Sequence, residues 1–142
     1  MSGYGEKRYE EFRVGDAATF AKTISEADIL LFAAVSGDQY PLHVDAEYAR
    51  GTRFGQRAAH GMLSASLLST VIGLLLQKPG GINVEQRIRY RKPVFIGDTL
   101  TARCEVLELL PERRRMRCSA TVTNQRGETV IDGEAIVQKD DR

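Results

Sequence analysis

The chain reads as an α+β protein in which a curled antiparallel sheet wraps around one central apolar helix. Three observations predict this. Residues 61–77, GMLSASLLSTVIGLLLQ, are apolar on nearly every side, so a helix there has no wet face and must lie inside something. After Gly80 the chain reads as strand, with Val84, Gln86, Ile88 and Tyr90 alternating against Glu85, Arg87, Arg89 and Arg91 at the period of two of a half-buried strand. Gly97-Asp98 and Arg126-Gly127 supply turns that cut the remainder into long strands, roughly Thr99 to Leu109, Arg114 to Thr123 and Glu128 to Gln138.

The elements follow in order. The opening residues to Gly15 are polar and are expected to lie along the surface, and Ala17 to Ile24 reads as a short strand. Ser25 with Asp28 three positions on has the form of a capping box, which starts a helix over Glu26 to Ser36. Ile29, Leu30, Phe32, Ala33 and Val35 give it a broad apolar face, and Gly37 suits the left-handed residue that ends a helix. Pro41 fixes its own backbone angle and pushes Tyr40 toward an extended conformation, so Asp38 and His43 are expected on an irregular loop. Asp45 can cap a short helix over Ala46 to Arg50, and a loop containing Gly51 and Gly55 leads to His60.

The 142 residues suffice for one core and are too few for two ordinary ones, so residues 1–142 are expected to form a single domain, with 1–16 an N-terminal surface segment. Twenty basic residues nearly cancel nineteen acidic ones, so nothing global points to nucleic acid or to an anionic membrane. The opening MSGYGEKRYEEF places charges where a signal peptide needs its apolar region, and no stretch reaches the roughly 18 apolar residues of a membrane span. The expected location is the cytoplasm. Cys104 and Cys118 are too few for a disulfide framework and lack metal-ligand spacing. With a hairpin at Leu110 to Arg113 they fall almost opposite each other on the apolar face, as reduced core residues or as a redox pair.

The segment from Ser36 to His43, SGDQYPLH, concentrates the chemistry. A carboxylate and an imidazole five positions apart across a proline turn can reach one water, where Asp38 accepts a proton and His43 handles another near neutral pH. In AHGM, residues 59–62, Gly61 opens the central helix with an unpaired backbone amide and the helix dipole behind it. That is a means of stabilising a carbonyl oxygen that gains charge. His60 beside it either orients the loop or touches ligand. Asp38, His43, Asp45 and His60 also offer the donors of a two-histidine, one-carboxylate iron site, but the usual helical H-x-x-x-H or H-x-D framework is absent, and no metal is expected. Two basic groups, Arg87 to Lys92 and Arg113 to Arg117, read either as solvated strand faces or as phosphate contacts.

The blocks SGDQYPLHVDAEYA, AHGMLSASLLS and RKPVFIGDTL, in this order and spacing, resemble the MaoC-type (R)-specific enoyl-CoA hydratases of the hot-dog fold. The similarity runs from about Ala17 to the C-terminus. It implies that Asp38 and His43 hold and activate a water and that the Gly61 amide polarises the thioester carbonyl. It matches Ser69 to a serine of the family's central helix. Where the family's D-x-N-P-x-H has asparagine, this chain has Tyr40, which bears on substrate binding. The implied reaction is reversible hydration of trans-2-enoyl-CoA or enoyl-carrier-protein thioesters to (R)-3-hydroxyacyl thioesters, with no cofactor, in a homodimer. An acyl-CoA thioesterase and a non-catalytic acyl-thioester-binding or scaffold subunit are the alternatives.

Overall fold

The computed structural model describes residues 3–142. A 3-10 turn at Tyr9–Glu11 precedes strand β1 (Ala17–Thr23) and helix α1 (Glu26–Ser36). Two short helices, α2 (Pro41–Val44) and α3 (Ala46–Arg50), lead to the long α4 (Gly61–Leu76). Then come β2 (Gly81–Tyr90), β3 (Thr99–Leu110), a 3-10 turn at Pro111–Arg113, β4 (Arg115–Thr123) and β5 (Thr129–Lys139). The strands form one antiparallel sheet in the order β1-β3-β4-β5-β2, so β1 and β2 are its outer strands. Among the described residues, no helix is long and apolar enough to cross a membrane.

Helix α4 fills the concave face of this sheet. Leu63, Leu67, Leu68, Val71, Ile72, Leu75 and Leu76 are buried against Leu100, Ala102, Cys104 and Val106 of β3, Met116, Cys118, Ala120 and Val122 of β4, and Ile131, Ala135 and Val137 of β5. Burying one aliphatic side chain is worth about 1.5 to 3 kcal/mol, whereas helix propensities differ by less than about 1 kcal/mol per residue. Packing therefore dictates the helix despite its serines and β-branched residues. One stripe stays exposed, Met62, Ser66 and Ser69, spaced to lie on one side of α4. The helix thus has a narrow wet face where its composition suggests none.

Both ends of α4 are exceptional. No side chain caps its N-terminus. At the other end the fully buried Lys139 donates Nζ–H bonds to the carbonyls of Leu76 (2.7 Å) and Gln77 (3.0 Å). These are carbonyls that the helix itself leaves unpaired, and the lysine cation complements the negative end of the dipole. Burial pushes the Lys139 amine below its usual range.

Several expectations meet corrections. The opening segment is not merely superficial, because Phe12 is fully buried and Tyr9 nearly so, with the Tyr9 hydroxyl donating to the Arg115 carbonyl at 2.9 Å. His43 lies not on an irregular loop but inside α2, where Pro41 takes the first helical position that its missing N–H tolerates. Strand β2 is exposed along most of its length rather than half-buried, since it lies beyond β5 at the sheet edge and leaves Ile82 and Val84 in solvent. Cys104 pairs in register with Ala120 and Cys118 with Val106, so the two cysteines are diagonal neighbours rather than opposed. Both are free and fully buried, and the hydrogen bond to Cys118 together with burial raises the Cys104 thiol.

The outer strand is held in register by two close approaches. A Cβ at Gly81 would lie 2.0 Å from the Gln138 carbonyl oxygen, and one at Gly133 would lie 1.9 Å from that of Arg87. Only glycine fits where two backbones come this near.

Lys139→Met keeps the volume and removes both carbonyl bonds. Urea unfolding is expected to show a loss of about 2 kcal/mol, the usual worth of hydrogen bonds from a charged donor.

Candidate active site

The capping box at Ser25 and Asp28 fixes where α1 starts, and the left-handed Gly37, φ 81°, stops it. The chain leaves the helix at Asp38, whose N–H donates to Ser36 Oγ at 3.1 Å. Its carboxylate Oδ1 accepts the Tyr40 N–H at 3.1 Å, and no hydrogen bond among the described residues occupies Oδ2. The turn returns through α2 and brings His43 beside it.

Asp38, His43 and His60 each present one polar atom within 4.8 Å of the other two. The imidazole tautomers follow from their partners. His43 Nδ1 lies 2.7 Å from the Ala58 carbonyl, which can only accept, so Nδ1 carries the proton and the neutral ring keeps its lone pair on Nε2. His60 Nε2 likewise donates to the Asp38 carbonyl at 3.0 Å. His60 is buried at 2% exposure, and its Nδ1 has no partner. The two imidazoles stack at 3.9 Å with planes 26° apart, and Phe32 closes on His60 at 4.8 Å. Metal-binding lone pairs lie in the ring plane, so nearly parallel stacked rings do not converge on one ion. The grouping suits proton handling rather than coordination.

Gly61, the first residue of α4, sits beside these rings. Its N–H has no acceptor within the helix, and the dipole of a 16-residue helix reinforces it. Tyr90 of β2 packs directly on Gly61, where an added Cβ would lie 2.8 Å from the tyrosine Cε1. The Tyr90 hydroxyl donates to Met62 Sδ at 3.0 Å, and burial raises its pKa.

Two adjoining cavities share His43, Gly61 and Tyr90 in their walls. One, of about 420 Å³, holds Asp38, His60, Phe32, Ser36 and Met62. The other, of about 300 Å³, is walled by Leu42, Phe54, Val94 and Ile131 among others, with Ser64 in its lining and Arg53, Arg91 and Lys92 around it. Arg91 pairs with Asp132 at 2.8 Å. Lys92 pairs with Glu128, whose carboxyl is pulled down to about 2 by hydrogen bonds from Lys92, then Arg126 and Asn124. Among the described residues Arg53 alone of these three cations has no carboxylate partner, and it rests over the Phe54 ring at 4.7 Å. Elsewhere Arg117 pairs with Glu108 and Glu134, and Arg114 with Asp141, so much of the basic hairpin is occupied.

Asp38, His43, His60 and Gly61 are thus brought together. Tyr40 stands apart at 55% exposure, lines neither cavity, and turns its ring edge toward His43 at 6.2 Å. It still supplies its backbone N–H to Asp38. Ser69 lies on the exposed stripe of α4, two turns beyond Gly61, and lines neither cavity in the single chain. Three contributors escape the sequence reading: Tyr90, Ser64, whose buried Oγ has no partner, and Arg57, which donates Nε–H to the His43 carbonyl at 2.7 Å. The period-two pattern places Tyr90 on a strand but does not reveal its contact with Gly61.

A curled sheet filled by one helix, with a carboxylate and an imidazole beside the uncapped helix start, marks an α+β fold with a proton-handling site. The chain belongs to the MaoC-like domain family, whose model matches residues 12–130, and its fold is the hot-dog arrangement. It is 47% identical to an (R)-specific enoyl-CoA hydratase of Rhodospirillum rubrum over 91% of this chain and 89% of that one. It is 42% identical to a 3-hydroxybutyryl-CoA dehydratase of Methylorubrum extorquens, over 92% of this chain and 82% of that one. Among solved structures, unliganded R-hydratase PhaJ1 of Pseudomonas aeruginosa superposes with a TM-score of 0.86 at 46% identity, covering 93% of this chain and 86% of that one.

Gly61→Ala must push the Tyr90 ring off the helix start. Because that ring is half exposed it can swing aside, so little stability is lost, and a crystal structure of the variant is expected to show the Tyr90 to Met62 contact broken.

Proposed function

We propose that the chain hydrates trans-2-enoyl thioesters to (R)-3-hydroxyacyl thioesters, and runs the reverse dehydration, without metal or redox cofactor. The observation that carries this is the meeting of Asp38 and His43 beside the uncapped Gly61 amide. The hydratases and dehydratase to which the chain is 42 to 47% identical support it.

The thioester oxygen accepts the Gly61 N–H, which strengthens as the oxygen becomes enolate-like. A water is held between His43 Nε2, which accepts one of its hydrogens, and the Asp38 carboxylate. As the water oxygen bonds to the β-carbon, Asp38 takes its proton, and the proton then passes to the α-carbon with the help of His43. The carboxylate and imidazole end as they began. Because the α- and β-carbons must face Asp38, the acyl part of the substrate occupies the larger cavity, and the coenzyme A or carrier-protein arm lies toward the cavity bearing Arg53. That unpaired guanidinium is suited to a phosphate, and remote binding of the arm contributes to catalysis. Tyr40 and Ser69 belong to substrate binding in this reading only at the periphery of the site.

The assembly we propose is a cytoplasmic homodimer. Strand β2 exposes one edge together with Ile82 and Val84, and pairing two such edges removes an open ladder. Sedimentation velocity is expected to give a dimer, and Val84→Lys to shift it toward monomer.

Purified protein is expected to remove the conjugated double bond of a short trans-2-enoyl-CoA and to yield the (R)-alcohol, as read by a stereospecific dehydrogenase. Asp38→Asn should lower turnover by about 10² to 10⁴, the range for loss of a general base. Retention of near wild-type turnover by a folded Asp38→Asn protein would remove Asp38 from its role. Release of free thiol in place of hydration would make the chain a thioesterase.

A further inference from the structure

We propose that Arg57 is a positioning residue that fixes the distance between Asp38 and His43. The assignment of its effect on turnover rests on the hydratase reading above. Arg57 lies in the loop before α4, yet its side chain is only 11% exposed. Its Nε–H donates to the His43 carbonyl at 2.7 Å, and Nη1 donates to Glu26 Oε1 at 2.6 Å. Glu26 is the first residue of α1, the helix whose far end releases Asp38 into the site, while His43 lies in α2. One guanidinium therefore ties the element that delivers the carboxylate to the backbone that carries the imidazole.

The neighbouring residue completes the hold. The Ala58 N–H donates to the Leu42 carbonyl at 3.3 Å, and the Ala58 carbonyl accepts His43 Nδ1–H at 2.7 Å. Residues 57 and 58 thus grip His43 by its backbone and by its ring. The rigid planar fork of a guanidinium fixes the directions of both bonds, whereas a lysine ammonium is a compact point charge on a flexible stem that does not impose that geometry. The third nitrogen, Nη2, is buried without a partner. An unsatisfied buried N–H is a cost that an apolar residue at this position would not carry, so packing alone does not account for an arginine here.

The test compares wild-type protein with Arg57→Met, Arg57→Lys, Arg57→Ala and Glu26→Gln, using a short trans-2-enoyl-CoA and crystal structures of the variants. In folded Arg57→Met, kcat is expected to fall about 10²-fold, as for a displacement near 1 Å, with KM changed by less than about three-fold. Arg57→Lys should recover only part of this. Methylguanidinium should restore Arg57→Ala where methylammonium does not. Glu26 is exposed at 61%, so Glu26→Gln folds even where an Arg57 variant does not, and it should lower kcat a few-fold at constant KM. In the Arg57→Met crystal structure the separation between the Asp38 carboxylate and the His43 ring should increase. Unchanged kcat in the folded variants, or an unchanged separation between Asp38 and His43, would overturn the proposal. A wild-type protein that hydrates no enoyl thioester would instead sink the hydratase reading, while the crystallographic distance would still decide whether Arg57 positions His43.

Discussion

The burial of α4 governs this molecule. A helix that is apolar on almost all sides has to be wrapped, and the sheet that wraps it meets it with Leu100, Val106, Met116, Val122, Ile131 and Val137. Once the helix is held along its length, its ends acquire fixed places at the rims of the sheet. The two ends are treated in opposite ways. Lys139 pairs the carbonyls at one end, whereas the amides at the other are left without a side-chain cap. The Gly61 helix start is exposed, so its unpaired amides stay open to water or to a ligand acceptor.

Around that open end the chain arranges its proton-handling groups from local rules. A capping box starts α1, a left-handed glycine stops it, and a proline at the first position of α2 turns the chain back within a few residues. His60, the residue before the helix start, stacks on His43 and binds the Asp38 carbonyl, so the helix entrance also serves as the back wall of the site. Both imidazoles spend one N–H on a backbone carbonyl. Their tautomers are therefore set by the fold, and a neutral His43 keeps Nε2 as an acceptor.

Much of this was legible in the residues. Period-two alternation located β2, turn residues marked off the later strands, and Ser25, Asp28 and Gly37 bracketed α1 because capping is chemistry of nearest neighbours. Asp38, His43 and Gly61 could be selected because their spacing resembles a family, which short motifs express well. What stayed hidden depends on contacts between distant segments. The exposure of β2 follows from its place beyond β5, and no residue of β2 declares that order. Phe12 is buried because the opening segment folds back under the sheet, although its neighbours are charged. The grip of Arg57 on His43 joins the loop before α4 to α2, and an arginine between Gln56 and Ala58 carries no local pattern. Ser69 shows the reverse: the resemblance matches it to a serine of the family's central helix, but in the single chain it is exposed.

The glycines of the outer strand carry a consequence of their own. Gly81 and Gly133 stand at separate points of the β2 to β5 ladder, and at each the opposing backbone occupies the space of a side chain. A slide of one residue would bring a Cβ against a carbonyl oxygen, which no rotamer change relieves. Strand β2 is thus indexed to the sheet as a key is to a lock, on either side of a register shift between Asn83 and Glu85, and its outer edge stays free. Whatever docks along that edge meets a ruler with fixed marks, and specificity of docking can arise there from backbone spacing alone, with its side chains free to vary.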